Sequence, residues 1–324
     1  MKHKITKRTL VLTAEALIAA SVFVFCFAKL VFGTDLLDAL SRNGQGFDES
    51  QDFVKIMDVG QADSILIYSN GCCAVVDTGL ASSAGAISED LSSAHIKNID
   101  TVVISHLHED HAGGLEKISQ LYGISNLIVP KSDPTADSDA SVSRVKSLVA
   151  NKNGKVYTAE PGMNFKIGEF EITLIAYYSS LSDMNDRSVT VMAEIGGVKF
   201  LLTGDAGEPA ESTMIKDGIN LDCDVLKVGH HGSNTSNSLE FLKKATPEYA
   251  AISVGKNNVY SHPSDKVVSS LGRVGAKVYR TDEDGDITFY VEDGKIRAET
   301  EKSKPPVQPV VCSTPIRGDY WLDP

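Results

Sequence analysis

Three of the eight histidines in this sequence fall within six residues, His106-Leu107-His108-Glu109-Asp110-His111. Imidazole nitrogens and carboxylate oxygens are the donors of zinc and its transition-metal neighbours, and this many candidate ligands can serve two ions. The hexapeptide follows the apolar, β-branched run Thr101–Ser105 and precedes Ala112-Gly113-Gly114. His106, His108 and Asp110 alternate, so in an extended segment they face the same way. His111 changes sides where the chain turns into a helix at Leu115. A pair of metal ions sharing a water lowers its pKa from about 15.7 to around 7, which supplies a nucleophile at neutral pH without a Ser or Cys. Ser233 and Ser261 lie near other histidines, but no base and orienting group mark either one. Cys72-Cys73 follow a glycine turn and read as the start of a strand.

Other histidines stand at element ends. His230-His231 follow the strand Asp224–Val228; as neighbours at a strand end their side chains diverge. His262 lies in Ser261-His262-Pro263, just before a helix at Ser264. Pro263 suits that helix's first turn and holds His262 extended, where the positive end of the helix dipole favours neutral imidazole. Such a group can hydrogen-bond a phosphoryl oxygen or pass a proton to a leaving oxygen. His3, in a basic flank, and His95, on a polar helix, carry no chemistry.

The elements that must position these residues mix strands and helices. Strands are expected at Phe53–Asp58, Ser64–Ser69, Ala74–Asp77, Thr101–Ser105, Leu127–Pro130, Lys155–Tyr157 and through Phe165–Ile175 with a turn at Ile167-Gly168. Ser188–Ile195 and Val198–Thr203 flank Gly196-Gly197, a hairpin signal. Further strands follow at Tyr249–Val254, Lys277–Arg280, Ile287–Val291 and Lys295–Ala298. Helices are expected at Ala84–His95, Leu115–Tyr122, Ser141–Ala150, Glu208–Lys216, Ser238–Lys244 and Ser264–Leu271. Many strand connections are hairpins, so the class is α/β or α+β with mixed sheets rather than a doubly wound parallel sheet. Two sheet-plus-helix halves meeting near residue 180 account for the number of elements.

Composition narrows the function classes. The chain has 324 residues, is 42% hydrophobic and 23% charged, and so can bury a substantial core. Its net charge is −12, and Lys2, Lys4, Lys7, Arg8 and Lys29 stand against Glu15 alone in the first 34 residues, so the remainder is more acidic still. A broad surface coating nucleic acid is thereby excluded, though not a local basic groove. Five cysteines exclude a disulfide scaffold. Leu10–Phe32 is a run of 23 residues broken only by Thr13, Glu15, Ser21 and Lys29, long enough to cross a bilayer. The basic flank before it places that end in the cytoplasm and the rest outside. The expected organisation is a flank and transmembrane anchor over 1–34, a linker over 35–52, a hydrolase domain over 53–300 and a Pro-rich tail over 301–324. A cleaved signal, giving a secreted form, is the alternative to a single-pass anchor.

His106-x-His108-x-Asp110-His111 resembles the main motif of the metallo-β-lactamase superfamily, which implies an αββα sandwich of two mixed sheets with the metal site at one edge. The resemblance narrows. Met57-Asp58-Val59-Gly60-Gln61-Ala62-Asp63-Ser64, Val76-Asp77-Thr78-Gly79, Leu202-Thr203-Gly204-Asp205, Leu226-Lys227-Val228-Gly229-His230-His231-Gly232-Ser233 and Ser261-His262-Pro263 come in the order seen in the extracellular metallo-hydrolase domain of ComEC-type competence proteins. The similarity runs from about Phe53 to Val291. With one apolar span, the chain resembles a free-standing, membrane-anchored relative.

The resemblance implies roles. His106 and His108 would hold a first metal, Asp110 and His111 a second, and Asp205 would bridge them. One of His230 and His231 would complete the second site, with His230 preferred and His231 facing substrate. Asp110, His231 and His262 are the expected catalytic groups. Asp58, Asp63 and Asp77 would orient the metal loop by hydrogen bonds. Two divalent ions are implied, zinc in the first instance. No His occurs between His111 and His230, where many members have a ligand; Asp183, Asn185 and Asp186 are the candidates there, in a segment resembling the Asn-x-x-Ser pattern of ComEC-type domains. More oxygen ligation also admits manganese. Ala62 stands where Gly is usual. The implied function is an extracytoplasmic phosphodiesterase or nuclease using a metal-bound hydroxide, acting on single-stranded DNA or a cell-wall polymer and needing no nucleotide cofactor. A teichoic acid phosphorylcholine-type esterase, a lactone or β-lactam hydrolase, and a non-catalytic binding domain are the alternatives.

Overall fold

A computed structural model describes residues 51–131, 139–176 and 178–302. The expected anchor over 1–34, nearly all of the linker and the tail from 303 onward lie outside the described residues. Among the described residues, no helix is long and apolar enough to cross a membrane.

The chain begins with β1 (Asp52–Ile56), β2 (Ile65–Ser69), β3 (Cys72–Val76), α1 (Ala84–Ser93), β4 (Asn98–Val103), α2 (Glu109–Ala112), α3 (Leu115–Leu121), β5 (Gly123–Val129), α4 (Asp139–Asn151) and β6 (Lys155–Thr158). It continues through β7 (Asn164–Ile167), β8 (Phe170–Ala176), β9 (Thr190–Ile195), β10 (Val198–Leu202), α5 (Glu208–Lys216), β11 (Val225–Lys227), α6 (Leu239–Ala245), β12 (Tyr249–Ile252) and α7 (Asp265–Val274). It ends with β13 (Lys277–Arg280), α8 (Thr281–Asp284), β14 (Ile287–Glu292) and β15 (Lys295–Thr300).

Two mixed sheets result. The first has eight strands in the order β15-β14-β1-β2-β3-β4-β5-β6, the second seven in the order β13-β12-β11-β10-β9-β8-β7. Each is antiparallel on one side and parallel on the other. Strands β3 to β6 run parallel, as do β10 to β13. Alternation along the strands builds the layers. Val198, Phe200 and Leu202 of β10 face the core between the sheets, whereas Leu201 faces outward to a second apolar cluster with Ala210, Met214, Phe241, Leu242, Val267 and Leu271 of α5, α6 and α7. Phe289 of β14 closes the inter-sheet core by meeting Phe200 at 6.4 Å, Tyr249 at 5.8 Å and Tyr279 at 6.0 Å between ring centroids.

The junction of the halves differs from expectation. It falls between β6 and β7, not near residue 180, and the last hairpin returns to the first sheet, pairing β14 with β1. Lys55 of β1 fixes that return, with its ammonium 2.6 Å from both Asp90 of α1 and Asp286 before β14. Strand β5 starts four residues earlier than the apolar run suggests, because pairing with β4 carries the polar Ser125 and Asn126; the Asn126 amide donates to Asp100 O at 2.9 Å. The motif is not extended throughout. His108 is extended, but Glu109–Ala112 closes into the single turn α2, so Asp110 reaches the site from a helix.

Candidate metal centre

The centre lies beyond the carboxyl ends of the parallel strands, where open mixed sheets place their ligands. Asp77 follows β3 and has φ 62. Its carboxylate accepts from Ser105 N at 2.7 Å, Ser105 Oγ at 2.7 Å and His111 Nδ1 at 2.8 Å. Burial pushes its pKa up, against the lowering effect of His111 and Ser105. The motif loop is also sewn to its neighbours by backbone bonds: Asp63 N donates to Asp110 O, Thr78 N to His111 O and Gly114 N to Gly79 O. Gly114 is required there, since a Cβ would stand 2.1 Å from Thr78 O.

Four side chains converge. Ligand atoms of Asp110, His111, Asp205 and His231 all lie within 4.8 Å of one another. His111 Nε2 is 3.3 Å from Asp205 Oδ1, and His231 Nε2 is 3.3 Å from Asp110 Oδ2 and 3.9 Å from Asp205 Oδ2. Asp205 follows β10 after Gly204 (φ +56), whose added Cβ would meet Ser105 Cβ at 2.9 Å. Ser188 Oγ accepts the Asp205 amide at 3.0 Å and lies 3.4 Å from His106 Nδ1. His106 Nε2 and His108 Nδ1 are 3.0 Å apart, and the His106 ring centroid is 4.1 Å from that of His111.

Electrostatics follow from this packing. Burial works against charge on His111, yet Asp205 and Asp77 together hold its pKa well above the ordinary imidazole value. Burial likewise opposes the Asp205 carboxylate, but His111, His231 and His106 hold it well below the usual range. His106, without a carboxylate in direct contact, is pushed well down by burial and then by His111. The donor set fits a cation. His111 Nε2 and Asp205 Oδ1 are buried with no hydrogen-bond partner although they face the same space, a state that costs free energy unless something binds there. With Nδ1–H given to Asp77, His111 would offer Nε2 to a cation that displaces its second proton; Ser253 O, 2.9 Å from His231 Nδ1, orients His231 in the same way.

The histidine pair is placed by its backbone. His230 and His231 are both left-handed, with φ 51, inside the 3-10 turn Gly229–Gly232. The turn brings His231, 2% exposed, into the cluster. His230, the residue preferred from sequence, stays at the rim with Nε2 3.7 Å from Asp205 Oδ2. His231→Ala is therefore expected to lower metal affinity by at least the roughly 10- to 100-fold that loss of a ligand's own supporting partner costs. His230→Ala should retain metal at the unaltered level. Elemental analysis after dialysis checks this, and equal losses would overturn the choice.

The remaining expected residues divide. Asp63 is buried against Lys227 Nζ at 2.9 Å, with Oδ1 3.5 Å from His231 Nδ1. Asp58 belongs to a different corner: its amide donates to Asp286 and its carboxylate accepts from Gly60 N at 3.3 Å. Asp183 caps Asn185 N, and Asp186 accepts from Gly207 N at 3.0 Å, so neither joins the cluster. Asn185 Oδ1 is buried without a hydrogen-bond partner. Ala62 is fully buried and lies outside the positive-φ positions, so it fits its site. Helix α7 begins at Asp265 with Ser264 as its cap, which leaves Pro263 before the helix rather than in its first turn. The His262 pKa is lowered by burial, then by His230 and His231; its ring lies 5.8 Å from that of His230. Lys227, Ser105 and Ser188 were given no role from sequence. A charged residue ending the apolar run Val225-Leu226 was the available signal for Lys227.

The profile described as "Metallo-beta-lactamase superfamily" matches residues 57–256. ComE operon protein 3 of Bacillus subtilis is 30% identical over 264 residues, covering 74% of this chain and 33% of that protein. Competence protein ComA of Neisseria gonorrhoeae is 30% identical over 262 residues, covering 80% and 35%. Recombination protein 2 of Haemophilus influenzae is 28% identical over 260 residues, covering 78% and 30%. The chain thus spans about a third of the length of these relatives. Among solved structures, CmlA, a diiron beta-hydroxylase from Streptomyces venezuelae, matches with a TM-score of 0.52 at 17% identity, over 75% of this chain and 54% of that one; at that identity the likeness concerns the fold.

Proposed function

The chain belongs to the metallo-beta-lactamase superfamily, and from that premise we propose that it is a metal-dependent phosphodiesterase, anchored by residues 10–32 with its domain outside the membrane. The observation that carries the reading is the meeting of half-buried Asp110 with buried His111, Asp205 and His231, with two unpartnered ligand atoms among them. Bound there, divalent metal supplies an activated water and neutralises charge developing on a phosphoryl oxygen. His106, His108, Asp110, His111, Asp205 and His231 would hold two ions, of zinc or, given the oxygen-rich segment at Asn185, manganese. Asp77 and Ser253 O hold the proton on Nδ1 of their histidines and so fix which nitrogen faces the site. His262, its ring 5.8 Å from that of His230, serves as a proton donor toward a leaving oxygen. His262→Ala should retain metal while kcat falls by about 10²–10⁴, with a smaller defect on esters whose leaving groups need no proton. Metal loss in that variant would make His262 a ligand instead.

The names of the relatives, competence and recombination, favour a nucleic-acid strand over a cell-wall polymer. Purified full-length protein loaded with zinc or manganese should cleave bis-p-nitrophenyl phosphate and single-stranded DNA. Preference for p-nitrophenyl phosphorylcholine or nitrocefin would move the assignment to a cell-wall esterase or a lactamase. Stoichiometric metal with no turnover would leave a binding domain. External protease digesting the domain in intact protoplasts checks the topology; protection until lysis would refute it.

A further inference from the structure

Large apolar side chains with high exposure are few among the described residues, and two are adjacent: Val259, 89% exposed, and Tyr260, 64% exposed. They form the tip of the loop between β12 and α7. The loop is not slack. Asn258 clamps it from within, its amide nitrogen donating to Gly255 O at 3.0 Å and His262 O at 2.7 Å while its Oδ1 accepts His262 N at 2.9 Å. Gln61 holds the base by accepting Gly255 N at 3.0 Å. A built loop that presents an aromatic ring to water gains nothing for the core. Tyr260 instead lies against His262, with ring centroids 5.6 Å apart and planes at 28°. His262 meets His230, and His230 reaches to 3.7 Å from Asp205. A line of rings therefore leads from solvent to the candidate metal cluster, and Tyr260, 64% exposed, is its outermost member.

We propose that Tyr260 is the stacking platform for a nucleobase of a single-stranded nucleic acid whose phosphate lies at the cluster; the assignment rests on the phosphodiesterase reading and names its substrate class. Any base can stack on one open ring face, which suits recognition without sequence preference. Lys256, exposed at the foot of the same loop and without an ion-pair partner among the described residues, supplies a local positive charge for a backbone phosphate on an otherwise acidic chain. Choline, by contrast, is captured by several aromatic faces forming a cage. Tyr157, the other exposed aromatic among the described residues, is on β6 at the far edge of the first sheet, so no second exposed aromatic of the described residues stands beside Tyr260.

The test uses full-length protein in detergent loaded with its divalent metal, and a fluorescein-labelled oligothymidylate whose phosphorothioate linkages resist cutting, followed by anisotropy. Tyr260→Ala should weaken binding roughly 5- to 100-fold, the range for loss of one stacked base, and Tyr260→Phe should stay within about twofold of the unaltered protein. An abasic oligomer of equal length should bind the unaltered protein less tightly than oligothymidylate and should not discriminate between it and Tyr260→Ala. Equal losses on both oligomers, no loss on either, or no binding of oligothymidylate by the unaltered protein would overturn the assignment. So would competition by phosphorylcholine that exceeds thymidine monophosphate and disappears in Tyr260→Ala. Hydrolysis of methyl p-nitrophenyl phosphate, which has no base, is measured alongside on the same metal-loaded protein. Its absence refutes the hydrolase reading while the binding result stands by itself.

Discussion

Asp205→Asn should abolish turnover, by at least about 10³-fold, and strip the centre of metal while leaving the domain folded. Asp205 is the carboxylate that both His111 and His231 approach, at 3.3 and 3.9 Å, and it is 2% exposed. A neutral amide there would not balance the two dications proposed for the centre, and the several kcal/mol of charge stabilisation that they would supply are lost. The fold should survive because the backbone contact that seats the residue, its amide on Ser188 Oγ, does not involve the carboxylate. Elemental analysis, turnover and near-ultraviolet circular dichroism read the three quantities separately. A variant that keeps two metals and a third of its activity would show that Asp205 is not the residue the ions share.

Lys227→Met should be the most destabilising change away from the metal ligands. Lys227 has no exposure; its ammonium donates to Val228 O at 2.9 Å and forms an ion pair with Asp63 Oδ2 at 2.9 Å. Without it, Asp63 keeps a buried charge with no cation, a loss of about 3–5 kcal/mol. For a domain of this size each kcal/mol is worth about 2–4 °C, so Tm should fall on the order of 6–20 °C. Lys227→Met combined with Asp63→Leu should recover most of that stability, since an apolar pair commonly replaces a buried ion pair at little cost. Activity should not return with it, because Asp63 also borders His231 at 3.5 Å. Thermal unfolding of the three proteins decides the matter. A single variant within about 1 kcal/mol of the unaltered protein would show that the pair contributes nothing net.

What could be read from the sequence was local. The hexapeptide at 106–111, the hairpin around Gly196-Gly197 and the order of strands and helices all depend on neighbours a few residues apart, and the structure has them with shifted ends. Which of His230 and His231 turns inward is set by two consecutive left-handed residues, a backbone conformation that alternation along the sequence does not state. Asp58 and Asp63 look alike in Met57-Asp58-Val59-Gly60-Gln61-Ala62-Asp63. Their partners, Asp286 and Lys227, lie over a hundred residues away and send one to the β14 corner and the other to the centre. The site of the junction between halves was likewise misplaced because sheet order is a long-range property: nothing within β14 states that it pairs with β1.

That pairing has a consequence for how the protein is made. Ile56 is matched with Ile287, and β1 has β14 on one side and β2 on the other. While the chain is being synthesised at about 5–20 residues per second, β1 waits on the order of 10–50 s for its second neighbour. During that interval its unpaired backbone groups form a bare edge, Lys55 has no Asp286, and the first sheet is open to pairing with other chains. The parallel strands around the centre can assemble earlier, so the metal ligands come together before the sheet that carries half of them is closed. Maturation thus ends at the hairpin farthest in sequence from the strand it completes, and a nascent chain stalled before Ile287 should depend on a holding factor in a way that the finished protein does not.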